Sequence, residues 1–210
     1  MSELDGTAFV RFLETFADRL HERRDELTQL DSAIGDADHG INMDRGFTAV
    51  RGKLAELDGA DLGAGANAVG MTLISTVGGA SGPLYGTFFL RLATALGGRA
   101  TVGADELGQA LRAGLDGVRQ RGKAELDDKT MVDAMSPAVD AFEAASGEGL
   151  ASALAAAADA AAAGRDRITP LTARKGRASY LGERSANHQD PGATSTTILF
   201  ESLRDAFAGH

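Results

Sequence analysis

Between Leu30 and Phe47 the chain reads LDSAIGDADHGINMDRGF, which places three carboxylates, Asp31, Asp36 and Asp38, within eight positions, with Gly35 and Gly40 interleaved and His39 and Asn42 following. Two unit charges about 4 Å apart at an effective dielectric near 20 interact by roughly 4 kcal/mol, so acids this close require a cation between them. All-oxygen ligands are hard donors and favour Mg²⁺ or Ca²⁺ over zinc. An EF-hand needs a bidentate Glu at the twelfth loop position, and counting from Asp36 that position is Phe47. Mg²⁺, which takes a few carboxylates and fills its other positions with water and substrate phosphate, fits a short acidic loop that opens onto a helix. The bland alternative is a solvated Asp/Gly turn whose acids cap the next helix. That alternative is the better reading of any one Asp; three with glycines between them favour the metal, and a pair of ions could share the loop.

Composition narrows the partners. The 210 residues, 43% of them hydrophobic, suffice for one domain with a sizeable core, and we expect a single domain over 1–210. No cysteine is present, which excludes disulfides, thiolate metal sites and a Cys nucleophile. A formal charge of −9 disfavours nucleic acid and anionic membranes, so any cation for an anionic ligand must be supplied locally. No apolar run reaches the roughly 20 residues of a membrane span, and MSELDGTAFV lacks a signal-peptide pattern, which predicts a cytoplasmic protein.

Helices must position the loop. Phe9, Phe12, Leu13, Phe16 and Leu20 recur at helical spacing, and Leu27 and Leu30 carry that face to the acidic loop. Met43, Phe47, Val50, Leu54 and Leu57 form a second helix that begins at His39 to Asn42 and exits at Gly59 and Gly63. A third helix, Asn67 to Val77, runs into GGASGPLYG, where Pro83 stands in the first turn of a fourth. Leu107 to Val118 makes a fifth, closed by Gly122. Met131, Met135, Val139 and Phe142 make a sixth in which Pro137 predicts a kink or a late start. Alanine-rich Leu150 to Ala163 makes a seventh, and Ile198, Leu199, Leu203 and Phe207 lie on the last. No strand alternation persists. The fold expected is all-α, an eight-helix antiparallel up-and-down bundle.

In such a bundle alternate connections share an end. The acidic loop, the GGASG bend, the segment after Gly122 and the stretch from ARKGRAS to DPGA are the odd-numbered connections and would meet on one rim. That rim has carboxylates for Mg²⁺, helix N-termini for phosphate oxygens and basic residues nearby, the parts a nucleotide needs. Ala80 and Ser81 suit a phosphate, Arg177 a second charged contact and Met131 an apolar wall for a base. Taken singly, Ser81 is an ordinary cap, Met131 is core, Arg177 is a solvated loop residue and His39 caps its helix. Only their combination raises them above those readings. There is no Walker motif and no kinase HRD or DFG set.

With these residues in view, the chain resembles the nucleotide-binding L subunits of bacterial dihydroxyacetone kinases. The matching text is IGDADHGINMDRGF (34–47), TVGGASGPLYGTFF (76–89), RGKAELDDKTM (121–131) and ARKGRASYLGERSANHQDPGATS (173–195). The resemblance implies a barrel-like eight-helix bundle with ADP or ATP and Mg²⁺ at one rim. It implies metal ligation by Asp31, Asp36 and Asp38, and nucleotide contacts from His39, Gly40, Ile41, Asn42, Ala80, Ser81, Gly122, Met131, Arg177, Asp190, Pro191 and Gly192. It further implies two partners: a K subunit that holds dihydroxyacetone, and a phosphohistidine-carrying M subunit, fed from phosphoenolpyruvate, that rephosphorylates resident ADP. Two alternatives stand beside this. One is a same-fold subunit of an ATP-dependent kinase for another short ketose; the other is a non-catalytic subunit that senses nucleotide.

Overall fold

The computed structural model describes residues 3–57 and 60–208, and helices account for about three-quarters of them. Asp5 caps the first, α1 (Gly6–Glu22), by accepting the Ala8 N–H at 2.8 Å, and Phe9, Phe12, Leu13, Phe16 and Leu20 are buried along one face. At Arg23, with φ −100° and ψ 13°, the chain leaves helical geometry, and α2 (Arg24–Ile34) carries on to the acidic loop. The single helix expected over this stretch is therefore two. Leu20 and Leu27 are seven residues apart, so the apolar stripe passes through the break without a change of phase.

Next come α3 (His39–Arg51), a single turn α4 (Leu54–Leu57) and α5 (Leu62–Thr76). Asp61 accepts the Ala64 N–H at 2.7 Å, which starts α5 ahead of the expected Asn67. Gly59, expected at the exit of the second helix, lies outside the described residues. Then follow α6 (Ser81–Leu96), α7 (Ala104–Gly122), α8 (Val132–Ala145), α9 (Leu150–Arg167) and α10 (Pro191–Ala208), with a 3-10 helix at Arg177–Ser185 between the last two. Pro137 lies inside α8. Facing it, a Cβ on Gly164 of α9 would fall 2.2 Å from the Asp133 carbonyl oxygen, so only glycine permits the two backbones to approach so closely. The alanines of α9 serve the same end, with Ala153, Ala157, Ala158 and Ala161 all buried.

Each long helix packs on the next in sequence, and α10 packs back on α1, so the bundle closes into a ring. Arg19 and Asp205 pair at 2.5 Å across that last seam. Inside the ring, Phe9, Phe12, Phe16, Phe47, Phe89 and Phe88 form a continuous aromatic chain, with Phe16 and Phe47 edge-on at 4.5 Å. At one end the plain turns bind each other: Leu62 N–H donates to Arg99 O, Gly63 N–H to Gly97 O, and Leu4–Asp5 pairs antiparallel with Thr101–Val102. The other end carries the longer connections. No described helix is long and apolar enough to cross a membrane.

Candidate functional site

The acidic loop is folded by its own first acid. Asp31, buried at the end of α2, accepts through Oδ2 the N–H groups of Asp38 (2.8 Å) and His39 (3.1 Å), which draws residues 35–38 back over the helix end. One carboxylate oxygen from each of Asp31, Asp36 and Asp38 lies within 4.8 Å of the others. Three hard anionic donors so placed, with Asp31 buried and Asp36 open to solvent, fit a divalent cation that keeps part of its shell for water and phosphate. One positive charge is already close, since Arg177 Nε meets Asp36 Oδ2 at 2.8 Å from across the cleft.

His39 opens α3 and is buried. Its Nδ1 lies 3.0 Å from Ser81 Oγ and its Nε2 2.9 Å from Ser195 Oγ; Ser195 in turn meets the Tyr85 hydroxyl at 2.7 Å, and Tyr85 meets Thr196 at 3.1 Å. A hydrogen-bonded line therefore runs from α6 through α3 into α10. Burial pushes the imidazole down to about 4, against the opposing fields of Asp31 and Asp38, so the ring is neutral at pH 7. The same burial pushes the Tyr85 phenol up to about 12.

The first turn of α6 faces the acids. Gly79 takes φ +65°, turning the chain so that Ala80 and Ser81 start the helix with amides that have no intrahelical acceptor. On the far side, Asp190 accepts the Ala193 N–H at 2.7 Å and caps α10, with Pro191 in the first helical position. Desolvation pushes the Asp190 carboxyl up to about 7; Asp133 and Asp31 add to the rise, while the Ala193 N–H and Lys129 oppose it.

The fourth wall is Lys129, Thr130 and Met131, at the end of the loop that follows α7. Lys123, Asp127 and Lys129 all have left-handed φ, at 51°, 69° and 64°. Ala37 and Asn187 are the other described non-glycine residues of this kind, and both lie in rim loops. Backbone so strained persists only where its surroundings enforce it. Here the buried Asp133 carboxylate accepts the N–H groups of Asp127 (2.5 Å) and Thr130 (2.9 Å), and Arg167 pairs with Asp127.

The four connections thus share one cleft, as their odd-numbered positions predict. Of the residues singled out in the sequence, Asp31, Asp36, Asp38, His39, Ala80, Ser81, Met131, Arg177, Asp190, Pro191 and Gly192 line it. Gly122 lies in an adjoining, mostly apolar recess with Pro83, Leu84, Val118 and Ala124, which shares Ala80, Leu84 and Met131 with the main cleft. Gly40, Ile41 and Asn42 do not line it. A Cβ on Gly40 would fall 2.0 Å from the Arg24 carbonyl oxygen, so this glycine serves the α2–α3 packing. Ile41 is half exposed, and buried Asn42 accepts from Arg45 at 2.7 Å while Arg45 Nε holds Thr76 O at 2.9 Å. The cleft lining also includes residues not anticipated as site residues, among them Tyr85, Thr130 and Lys129. Tyr85 stands four residues after Ser81 on the same helix, a spacing that placed it on the same face. No periodicity marks Lys129.

Comparisons with known proteins identify the family of this fold. A family model described as the DAK2 domain matches residues 33–205. The chain is 48% identical over 202 residues (95% of this chain, 96% of the other) to the ADP-binding subunit DhaL of the PEP-dependent dihydroxyacetone kinase of Escherichia coli strain K12. It is 43% identical over 194 residues (92% and 93%) to the ADP-binding subunit DhaL of PEP-dependent dihydroxyacetone kinase 1 of Listeria innocua. Among solved structures it is similar to the dihydroxyacetone kinase from C. freundii in complex with AMP-PNP and Mg²⁺, with a TM-score of 0.73 and 26% identity over 95% of this chain and 33% of that longer one.

Proposed function

The chain belongs to the DAK2-domain family, and from that membership we propose that it is the ADP-binding L subunit of a phosphoenolpyruvate-dependent dihydroxyacetone kinase. In this reading it carries ADP or ATP with Mg²⁺ and passes a phosphoryl group to dihydroxyacetone held on a K subunit, and a phosphohistidine M subunit recharges the bound ADP. The single observation that carries it is the meeting, in one cleft, of the three-aspartate cluster with the first turn of α6 and with Arg177.

Asp31, Asp36 and Asp38 would hold the metal, one ion or a pair. Bound there, Mg²⁺ supplies positive charge to the phosphate oxygens and so lowers the cost of charge movement in transfer. The amides of Ala80, Ser81 and Gly82 present fixed N–H dipoles to a phosphate, and Arg177 can pair with a phosphate oxygen once Asp36 turns to a metal. The recess between Pro83, Leu84, Val118 and Met131 offers apolar walls to a base. His39, neutral and with both ring nitrogens engaged by serines, fixes the Ser81 hydroxyl and is not free to act as a base. The chain's part in catalysis is therefore positioning and charge. The test is a thermal melt of purified protein with and without ADP and Mg²⁺, followed by phosphoryl transfer in a mixture with K and M subunits. A Mg²⁺-dependent rise in midpoint and transfer only in the complete mixture are expected; no response to either ligand would refute the reading.

A further inference from the structure

Lys129 is the buried cation that the metal and phosphate reading leaves without a role. Its residue is 1% exposed, its backbone is left-handed, and among the described residues no carboxylate pairs with it directly. Its ammonium instead donates to three main-chain carbonyls, Thr169 O at 2.7 Å, Leu171 O at 2.7 Å and Ser185 O at 2.8 Å, which uses every proton the group has. Two further bonds tie the same segments: Arg174 N–H donates to Asp128 O at 3.0 Å, and Ala173 N–H donates to Ser185 Oγ at 2.8 Å. The stretch between these ties carries Lys175, Gly176 and Arg177, a wall of the cleft that meets the acidic loop through the Arg177–Asp36 pair. That wall has little apolar anchorage of its own, since only Ala173, Ala178 and Leu181 pack with Ile34 beneath it.

We propose that Lys129 is a positioning residue for nucleotide retention: its ammonium fills a cage of three carbonyl oxygens and thereby holds residues 173–178 against the cleft before any nucleotide arrives. The inference rests on the nucleotide-carrying reading and adds to it the element that makes release of a nucleoside diphosphate slow. A wall fixed in advance leaves less to be ordered on binding, and the gain falls mainly on the dissociation rate. A cage emptied of its ammonium is also a site for a small cation of the same charge, which separates the role of the charge from that of the fold.

The experiment follows release of a fluorescent ADP analogue, with Mg²⁺ present, from the unaltered protein and from Lys129→Ala. We expect release to quicken by about tenfold or more and to slow again with added methylammonium, but not with tetramethylammonium, which is too large for the cage. Unchanged release, or faster release that methylammonium does not slow, overturns the proposal. Should Lys129→Ala fail to fold, hydrogen exchange on the unaltered protein decides. The Ala173 and Arg174 amides are expected to be equally protected with and without ADP, and protection that arises only on adding ADP overturns the preset wall. Failure of the unaltered protein to bind ADP would instead strike the nucleotide reading itself.

Discussion

Replacing Asp36 by Asn should separate the cost of the acidic cluster from its use. The three ligand oxygens lie within 4.8 Å of one another, and at that separation two unit charges at an effective dielectric near 20 repel by roughly 3 kcal/mol. Asp36 → Asn removes two such repulsions and one attraction, that of Arg177 at 2.8 Å. Asp36 is exposed, so solvent screens all three terms, and the net effect on the ligand-free protein should be a gain of no more than about 1 kcal/mol. For a chain of this size that is a rise in midpoint of roughly 2–4 °C. ADP with Mg²⁺ at about 100 times its Kd should add roughly 2.7 kcal/mol to the parent protein, or about 5–11 °C, and the variant should lose most of this. Differential scanning fluorimetry of both proteins, with and without ADP and Mg²⁺, reads both numbers at once. A ligand-free midpoint several degrees below the parent's, together with an intact ligand shift, would refute the reasoning, because it would make Asp36 a structural residue and not a metal ligand.

Other perturbations test the scaffold. Ser195→Ala deletes the hydroxyl shared by His39 and Tyr85; Tyr85 keeps Thr196, but the buried His39 Nε2 loses its partner, so urea unfolding should report a loss of about 1–3 kcal/mol. Gly40→Ala sets a methyl group 2.0 Å from the Arg24 carbonyl oxygen; α3 must move off α2, and a loss of about 1–3 kcal/mol with a lowered midpoint is expected. Asp190, pushed up to about 7, is protonated in the folded state at pH values where the unfolded chain has already lost the proton, so its contribution to stability falls as pH rises from about 4 to about 7. Asp190→Asn should therefore gain on the parent across that window in melts taken at successive pH values, and a constant offset would show that the group does not titrate there.

The helices are legible because burial on one face imposes a spacing that composition cannot hide, as in Phe9, Phe12, Phe16 and Leu20. The convergence of the loops is legible from parity alone once the helices are counted. The break at Arg23 is invisible to the same spacing, because seven residues separate Leu20 from Leu27 on either side of it. Motif continuity carries Gly40, Ile41 and Asn42 along with His39, yet successive residues of a helix point about 100° apart, so only His39 faces the cleft. Lys129 escapes for a different reason. Its carbonyl partners lie 40 to 56 positions away in an irregular segment, a pairing that no local pattern encodes.

The seam between α1 and α10 is the one neighbour contact of the ring that joins helices far apart in the chain, and Arg19 and Asp205 bridge it across 186 positions. Every other wall of the barrel can form by adding a helix to its predecessor, so closure of this seam has the largest loop-entropy cost and should come last in folding. Asp205, in the last turn of α10, meets Arg19, so α10 ends well short of Gly6, which lies thirteen residues back along α1, roughly 20 Å of helix. A circular permutant that joins the end of α10 to the start of α1 through a linker long enough to cover that length, and opens the chain between Gly97 and Gly103, would turn the seam into a local hairpin, leaving the four cleft-forming connections uncut.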